Sequence, residues 1–465
     1  MSVERRGSQS TRAQGGKKLP PPSGMRFSTK LRTLAERARG IRNAPLKTMI
    51  HLIDEEWLKE SWKRVFKGSA AGIDHVNARM YEENLEGNIQ ALLAKLKNGT
   101  YRASPVRRVY IPKADGRERP LGIPIVEDKL VQRAVGLLLS AIYEQDFLPM
   151  SYGFRQGRNA HQAIDGMRTA ITTQSVGWVL DVDISSFFDE ISHEHLMKFL
   201  RHRIGDEAIL ALIQKWLKAG VMEEGKLKKT SSGAPQGGVI SPILANVYLH
   251  YVIDLWVTRV IPKYLKGKMQ SFRYADDVLF CFQYRNDAVR FMKALKQRLA
   301  KFGLRLNESK TKLCRFGRFA EENRRNAGEH RATFQFLGFT FYNGKTQNGK
   351  YTVGVKTASK RLHGCMQRVT EWCKTNRHVP VSGQSKYLNS ILEGHYLYYG
   401  ITGNFPQIKV FYRHTLRVWH RYLCRRSQRA SIRWEKFLEI QKRYPVKRPY
   451  LPKSIFRRQS QPSFL

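Results

Sequence analysis

The period of the apolar positions changes along the chain, and each change marks an element. From residue 49 to about residue 97 the pattern is helical, with Leu85, Ile89, Leu92, Leu93 and Leu96 at helical spacing. Val109 and Ile111, the turn signal Asp115-Gly116, and the returning Leu121 and Ile123 predict a hairpin over Val106–Pro124. An amphipathic helix comes next over Glu127–Phe147. It has acids in its first turn and Leu130, Ala134, Leu137, Leu138, Ala141 and Ile142 on one face. Ile243–Ile253 reads as a further helix, and so do Leu362–Asn376, Tyr387–Tyr399 and Phe405–Arg426. The polar run 320–331 reads as a surface loop, and Asn343–Tyr351 as a turn-rich link.

Two apolar runs break the pattern because acids interrupt them. In Phe272–Phe280, Asp276 and Asp277 fall at the bend between two short strands. In Val179–Asp189, Asp181 and Asp183 lie two apart on a strand and so point to one face. A buried carboxylate costs several kcal/mol unless it is paired or bound to metal. Hard cations such as Mg²⁺ take carboxylate oxygens together with substrate phosphates. One of Asp181 and Asp183 could therefore meet Asp276 and Asp277 across a sheet. Three such carboxylates around two cations make a site for in-line phosphoryl transfer.

Charge narrows the substrate class. Lys and Arg number 82 against 38 for Asp and Glu, a formal net charge of +44. That excess is self-repelling without counter-charge and points to a polyanionic partner, nucleic acid first. Residues 1–45 hold Gly15-Gly16-Lys17-Lys18 and Pro20-Pro21-Pro22 and read as a basic flexible arm. Residues 431–465 read as a basic, proline-rich tail that orders on a partner. After Lys345 the acids are Glu371, Glu393, Glu435 and Glu439, too few and too scattered for a metal-dependent nuclease. Cys281, Cys314, Cys365, Cys373 and Cys424 have no zinc-like spacing and read as free thiols in a reducing cytoplasm. No apolar run has the length of a membrane span, and no leader-like apolar core is seen near the start.

The motifs then converge on a family. Tyr274-Ala275-Asp276-Asp277 between apolar residues resembles the active-site box of reverse transcriptases. Further blocks in the same order resemble those of the group II intron type. They are Tyr110–Pro124, Tyr152-Gly153-Phe154-Arg155 with Gly157–Ala160, Asp183–Asp189, Gly233–Pro242, Gly303–Asn307 with Lys310-Thr311-Lys312, and Phe336–Phe339. Ala70-Ala71-Gly72-Ile73-Asp74 is similar to the short block that precedes the fingers in non-long-terminal-repeat enzymes. Gly394–Gly400 is similar to the thumb, or maturase, domain of group II intron proteins.

The resemblance implies an α+β fold shaped as a right-hand polymerase. Helical fingers would span 46–176, a palm with an antiparallel sheet 177–350, and a helical thumb 351–430. It implies catalytic acids at Asp183, Asp276 and Asp277, with two Mg²⁺ held by these residues and Ile184. Asp181 would then be a flanking strand residue. Lys113, Arg119, Phe188, Gln236 and Lys310 are the implied nucleotide contacts. Phe188, five positions after Asp183, would sit under the sugar and exclude a 2′-hydroxyl. Lys312 rivals Lys310 as the cation near the leaving pyrophosphate, and Phe187 reads as core. The implied function is RNA-directed DNA polymerase and maturase, promoting splicing and retromobility by target-primed reverse transcription. The implied partners are group II intron RNA, an RNA template with a DNA primer, target DNA and dNTPs, without a membrane, in a cytoplasmic, RNA-associated location. The alternative is a CRISPR-associated or antiviral-defence reverse transcriptase serving another RNA. An RNA-binding splicing factor with a degenerate palm is disfavoured by the presence of all three acids.

One pattern comes from the chain itself. Lys409, Arg413, Arg417, Arg421 and Arg425 recur every four residues and form one slowly drifting helical stripe. Ile408, Tyr412, Leu416, Trp419 and Leu423 predict an apolar stripe beside it. With no acid inside this helix, the row predicts a nucleic-acid contact.

Overall fold

The structure is a computed structural model that describes residues 23–452 except 43, 113–117, 224–225, 229–232, 234–236, 321–331 and 428–430. It is an α+β fold. The strands in chain order are β1 (Val106–Pro112), β2 (Glu118–Ile123), β3 (Trp178–Val182), β4 (Ile184–Ser185), β5 (Val221–Glu223), β6 (Lys226–Lys228) and β7 (Met269–Tyr274). The remaining strands are β8 (Asp277–Phe282), β9 (Arg305–Leu306), β10 (Lys312–Arg315), β11 (Thr333–Phe336), β12 (Phe339–Lys345) and β13 (Tyr351–Thr357).

The central sheet has the order β10-β3-β8-β7, and every pairing in it is antiparallel. It is buried on both faces, which explains why β8 reads as a continuous apolar run. Val278, Phe280 and Phe282 face one core, with Leu130, Leu138, Val247, Phe291 and Leu295 from flanking helices. Leu279 and Cys281 face a second core, with Ile164 and Met167 of helix Ala160–Thr173 and Phe334, Phe336, Phe339 and Phe341 of the β11-β12-β13 sheet. The hairpin β1-β2 joins β5 and β6 in the order β2-β1-β5-β6. A third core holds the C-terminal helices Ser359–Thr375, Val381–Tyr399, Phe405–Cys424 and Trp434–Arg443.

Part of each expected flexible end is ordered and docked on the chain. A helix runs over Ser23–Gly40, and Phe27, Leu34 and Ala38 of it are buried. Phe27 packs edge-on against Trp57 at 4.9 Å, and Arg203 donates to the carbonyl of Ala38 at 2.7 Å. Phe27, Leu31, Leu34 and Ala38 have helical spacing, which the basic composition of the segment masks. At the other end, Phe437 of helix Trp434–Arg443 is fully buried against Trp419, and Lys447 pairs with Glu393 at 2.5 Å. The segment 431–452 therefore docks on its own chain rather than waiting for a partner. Residues 1–22 and 453–465 of the expected arm and tail lie outside the described residues.

The β11-β12-β13 sheet brings one addition and one smaller correction. Phe336–Phe339 is itself the β11-β12 turn, with Leu337 at φ 51° and Gly338 at φ 79°. The expected link Asn343–Tyr351 is mostly strand and turn of the β12-β13 hairpin, where Asn343 pairs with Val353. Thr346 and Lys350 close that turn through a 2.8 Å backbone hydrogen bond.

Candidate active site

The acids sit on the turn of the β7-β8 hairpin. Tyr274 pairs with Asp277, so the turn consists of Ala275 and Asp276 alone. It lacks Gly, Asn and Pro, yet it is tight, with Ala275 at φ 57°. A non-glycine residue there is strained and persists only where its surroundings hold it. Gly153 comes so close that a Cβ on it would lie 2.4 Å from the amide nitrogen of Ala275. This accounts for the glycine in Tyr152-Gly153-Phe154-Arg155.

The other acids come from β3 and the residue after it. Asp181 lies opposite Leu279 on β8 and opposite Lys312 on β10. Asp183 falls at the break between β3 and β4. Its carbonyl accepts from Asn307 at 2.8 Å, and its carboxylate lies 3.4 Å from Lys310 Nζ. The chain therefore joins Asp183 directly to the Gly303–Lys312 region. It also separates the two rival lysines: Lys310 faces Asp183, and Lys312 faces Asp181.

The acids influence one another. Burial raises the Asp181 carboxyl to about 7, helped by the charges of Asp277 and Asp183 and opposed by Lys312. Asp277 is open to solvent, but surrounding protein raises it to about 6, with Asp276 and Asp183 adding to the effect. Burial also raises Asp276. Its own backbone amide opposes this, Asp183 adds to it, and Arg119 and Arg273 counter it. Such a mutually repelling, oxygen-only donor set suits a hard divalent cation. Among the described residues, no three acidic, His or Cys side chains form a ready-made ion cage, and Asp183 is turned toward Lys310. Ile184 is buried in β4 with an apolar side chain, so any ligating atom there is its backbone carbonyl.

Asp181 gives a stability prediction. Its folded pKa lies above the unfolded value, so the native state holds the extra proton and stability falls as pH rises from about 4 to about 7. Asp181→Asn in metal-free buffer should stabilise the fold at about pH 8 by on the order of 2 kcal/mol, and hardly at all near pH 4. Urea midpoints at both pH values check this; an equal shift at both would contradict it.

The predicted nucleotide contacts surround these acids in part. Arg119 is exposed on β2 opposite Ile111, and its charge reaches both Asp276 and Asp277. Lys113 and Gln236 lie outside the described residues. Phe187 is buried, and Phe188 beside it is half-buried, with the rings in an edge-on pair at 5.2 Å. Gly233 runs against this turn: a Cβ on it would lie 3.1 Å from the Phe188 carbonyl. Gly237, at φ 108°, crosses the carbonyl of Gly122 on β2, linking the Gly233–Pro242 loop to the β1-β2 hairpin.

The five cations of helix Phe405–Cys424 and its C-cap are all exposed, and none has an ion-pair partner among the described residues. The apolar face is rotated slightly from the predicted one. Ile408, Phe411, Thr415, Val418, Trp419 and Leu423 are buried, while Tyr412 and Leu416 lie half-buried at its edge. Asp181, expected only to flank the site, carries the highest of the raised carboxyls there, and Arg273 had no expected role. The only sequence signal for Arg273 was a charged residue inside an apolar strand.

Comparison with known proteins agrees with this geometry. Residues 111–341 match the family described as Reverse transcriptase (RNA-dependent DNA polymerase). Protein YkfC of Escherichia coli (strain K12) is 38% identical over 257 residues, 54% of this chain and 66% of that protein. Group II intron-encoded protein LtrA of Lactococcus lactis subsp. cremoris is 42% identical over 180 residues, 38% of this chain and 30% of that protein. Nuclear intron maturase 4, mitochondrial, of Arabidopsis thaliana is 25% identical over 175 residues, 37% of this chain and 21% of that protein. The aligned regions thus span less than two thirds of each relative. Residues 111–341 thus belong to the reverse transcriptase family, and the chain is similar to proteins of the group II intron-encoded type.

Proposed function

We propose that this chain is an RNA-directed DNA polymerase that also binds a group II intron RNA as a maturase. The observation that carries the reading is the β7-β8 hairpin, which presents Asp276 and Asp277 beside Asp183 within the family-matched region. In the right-hand layout, 46–176 are fingers, 177–350 palm and 351–430 thumb. Two Mg²⁺ held by Asp183, Asp276, Asp277 and the Ile184 carbonyl would supply activation of the primer 3′-hydroxyl and neutralisation of the triphosphate. Arg119, whose charge already reaches the acids, would hold the triphosphate together with Lys113. Lys310, 3.4 Å from the Asp183 carboxylate, would protonate the leaving pyrophosphate. Gln236 would lie against the incoming nucleotide and template. The intron RNA, the RNA template with its DNA primer, target DNA and dNTPs are the proposed partners. No helix among the described residues is long and apolar enough to cross a membrane.

Phe188 tests nucleotide selection. Phe188→Ala should raise ribonucleotide incorporation relative to deoxynucleotide by about ten-fold or more, since removing a steric block of roughly 1–3 kcal/mol has that effect. Single-nucleotide addition measures the ratio; an unchanged ratio returns Phe188 to the core. RNA recovered with the purified protein tests the maturase half. Sequencing should find an intron with a folded domain V hairpin, and a CRISPR or defence-locus transcript in its place would overturn that half.

A further inference from the structure

Behind the catalytic hairpin lies a buried charge. Arg273, the residue before Tyr274, is completely buried, and so are Asp254, Asn246 and Ser151 around it. Its Nε donates to Asp254 Oδ1 at 2.7 Å. One terminal nitrogen donates to Asp254 Oδ2 at 2.5 Å and to Ser151 Oγ at 2.7 Å. The other donates to Asn246 Oδ1 at 2.9 Å and to the carbonyl of Ala275 at 3.1 Å. Every N–H of the guanidinium therefore has an acceptor. The last of these acceptors is the strained turn residue itself.

The partners come from three parts of the chain. Ser151 leads into the Tyr152–Arg155 block, and the backbone there pairs with Arg273 through 2.8 Å hydrogen bonds on both sides. Asn246 lies on helix Ser241–Leu249 and also donates to the Gly153 carbonyl at 2.7 Å. Asp254 closes a π-helical turn, His250–Asp254, that continues this helix. Such a turn inserts one residue and rotates the rest of the helix by about 100°. That rotation accompanies an Asp, rather than an apolar residue, facing the core at this position. A buried ion pair contributes little net stability, but it imposes one geometry when every hydrogen-bonding group is satisfied.

We propose that Arg273 is a positioning residue for the catalytic turn: anchored by Asp254, Asn246 and Ser151, it holds the Ala275 carbonyl and so fixes where Asp276 and Asp277 present their carboxylates. The role rests on the polymerase reading for its consequence in catalysis, but not for its effect on the hairpin. Arg273→Lys keeps the charge and loses the planar fork. In this variant, amide exchange across residues 272–279 should rise at least about ten-fold, as expected where a local contact is lost. Exchange in helix Arg285–Lys301 should not change. The Mg²⁺ concentration for half-maximal activity should rise. Single-turnover addition should fall by about a hundred-fold, the effect of roughly 1 Å of misplacement. Primer–template affinity should be unchanged.

Ser151→Ala removes one anchor and should move the same readouts in the same direction by a smaller factor, which keeps the test open if the lysine variant fails to fold. Leu388→Ala, a core truncation in the separate core of the C-terminal helices, serves as the control and should leave hairpin exchange and the Mg²⁺ midpoint at wild-type values. The proposal is overturned if Arg273→Lys or Ser151→Ala leaves both readouts unchanged, or if Leu388→Ala shifts them equally. Should the hairpin loosen as expected while wild-type protein shows no RNA-templated synthesis, the positioning role stands and the polymerase reading fails.

Discussion

Asp276→Asn should abolish RNA-templated DNA synthesis, lowering the rate by about three orders of magnitude or more while leaving RNA affinity within about two-fold. Loss of a metal-ligating charge at the reacting phosphate removes several kcal/mol of transition-state stabilisation, and each 1.36 kcal/mol is about ten-fold in rate. The fold should not suffer. Burial already raises the Asp276 carboxyl in the native state, so the charged form is a cost of folding at neutral pH that Asn does not carry. On the proposed reading RNA binding draws on basic surface elsewhere, which this substitution does not touch. Splicing assistance should persist for the same reason. Single-turnover extension and filter binding on one preparation check both halves; extension within about ten-fold of wild type would remove Asp276 from the catalytic set.

The second large effect concerns the cation row of helix Phe405–Cys424. Replacing Arg413, Arg417 and Arg421 together by Gln should weaken nucleic-acid binding by about fifty- to a hundred-fold at physiological salt. It should also flatten the salt dependence by about two to three units of slope, one set of released counterions per lost phosphate contact. All three residues are exposed and unpaired among the described residues, so no ion pair is broken. The buried face through Ile408, Phe411, Thr415, Val418 and Trp419 is untouched, so stability should change by less than about 0.5 kcal/mol. Like charges four apart oppose one another on an isolated helix, so a slight gain is as consistent as no change. Binding titrations at several salt concentrations give both quantities. Wild-type affinity and slope together would mean that nucleic acid runs elsewhere.

What the sequence made legible was what lies close together along it. The acid pair in Phe272–Phe280, the two strands that flank Asp115-Gly116 and the spacing of cations from Lys409 all show as local pattern, and the strands and the helix that carry them lie where expected. The docked helix Ser23–Gly40 was missed because basic composition outweighed the spacing of Phe27, Leu31, Leu34 and Ala38. The tail was misread in the same way, since Phe437 and Val446 are widely spaced apolar anchors that reach the third core only in three dimensions. The Arg273 hub was not legible at all. Its acceptors are spread from Ser151 to Ala275, and Asp254 reaches it through a π-helical turn without a recognisable sequence signature. The tightness of the Ala275–Asp276 turn has the same origin: nothing in those two residues favours it, and the surrounding contacts impose it.

The central claim is polymerase chemistry at Asp183, Asp276 and Asp277, and extension of a DNA primer annealed to an RNA template measures it most directly. Purified protein with dNTPs and Mg²⁺ should copy the RNA into full-length DNA, stop when the metal is chelated, and fail in the Asp276→Asn variant. No extension by folded, RNA-binding wild-type protein, or equal extension by wild type and Asp276→Asn, would contradict the account.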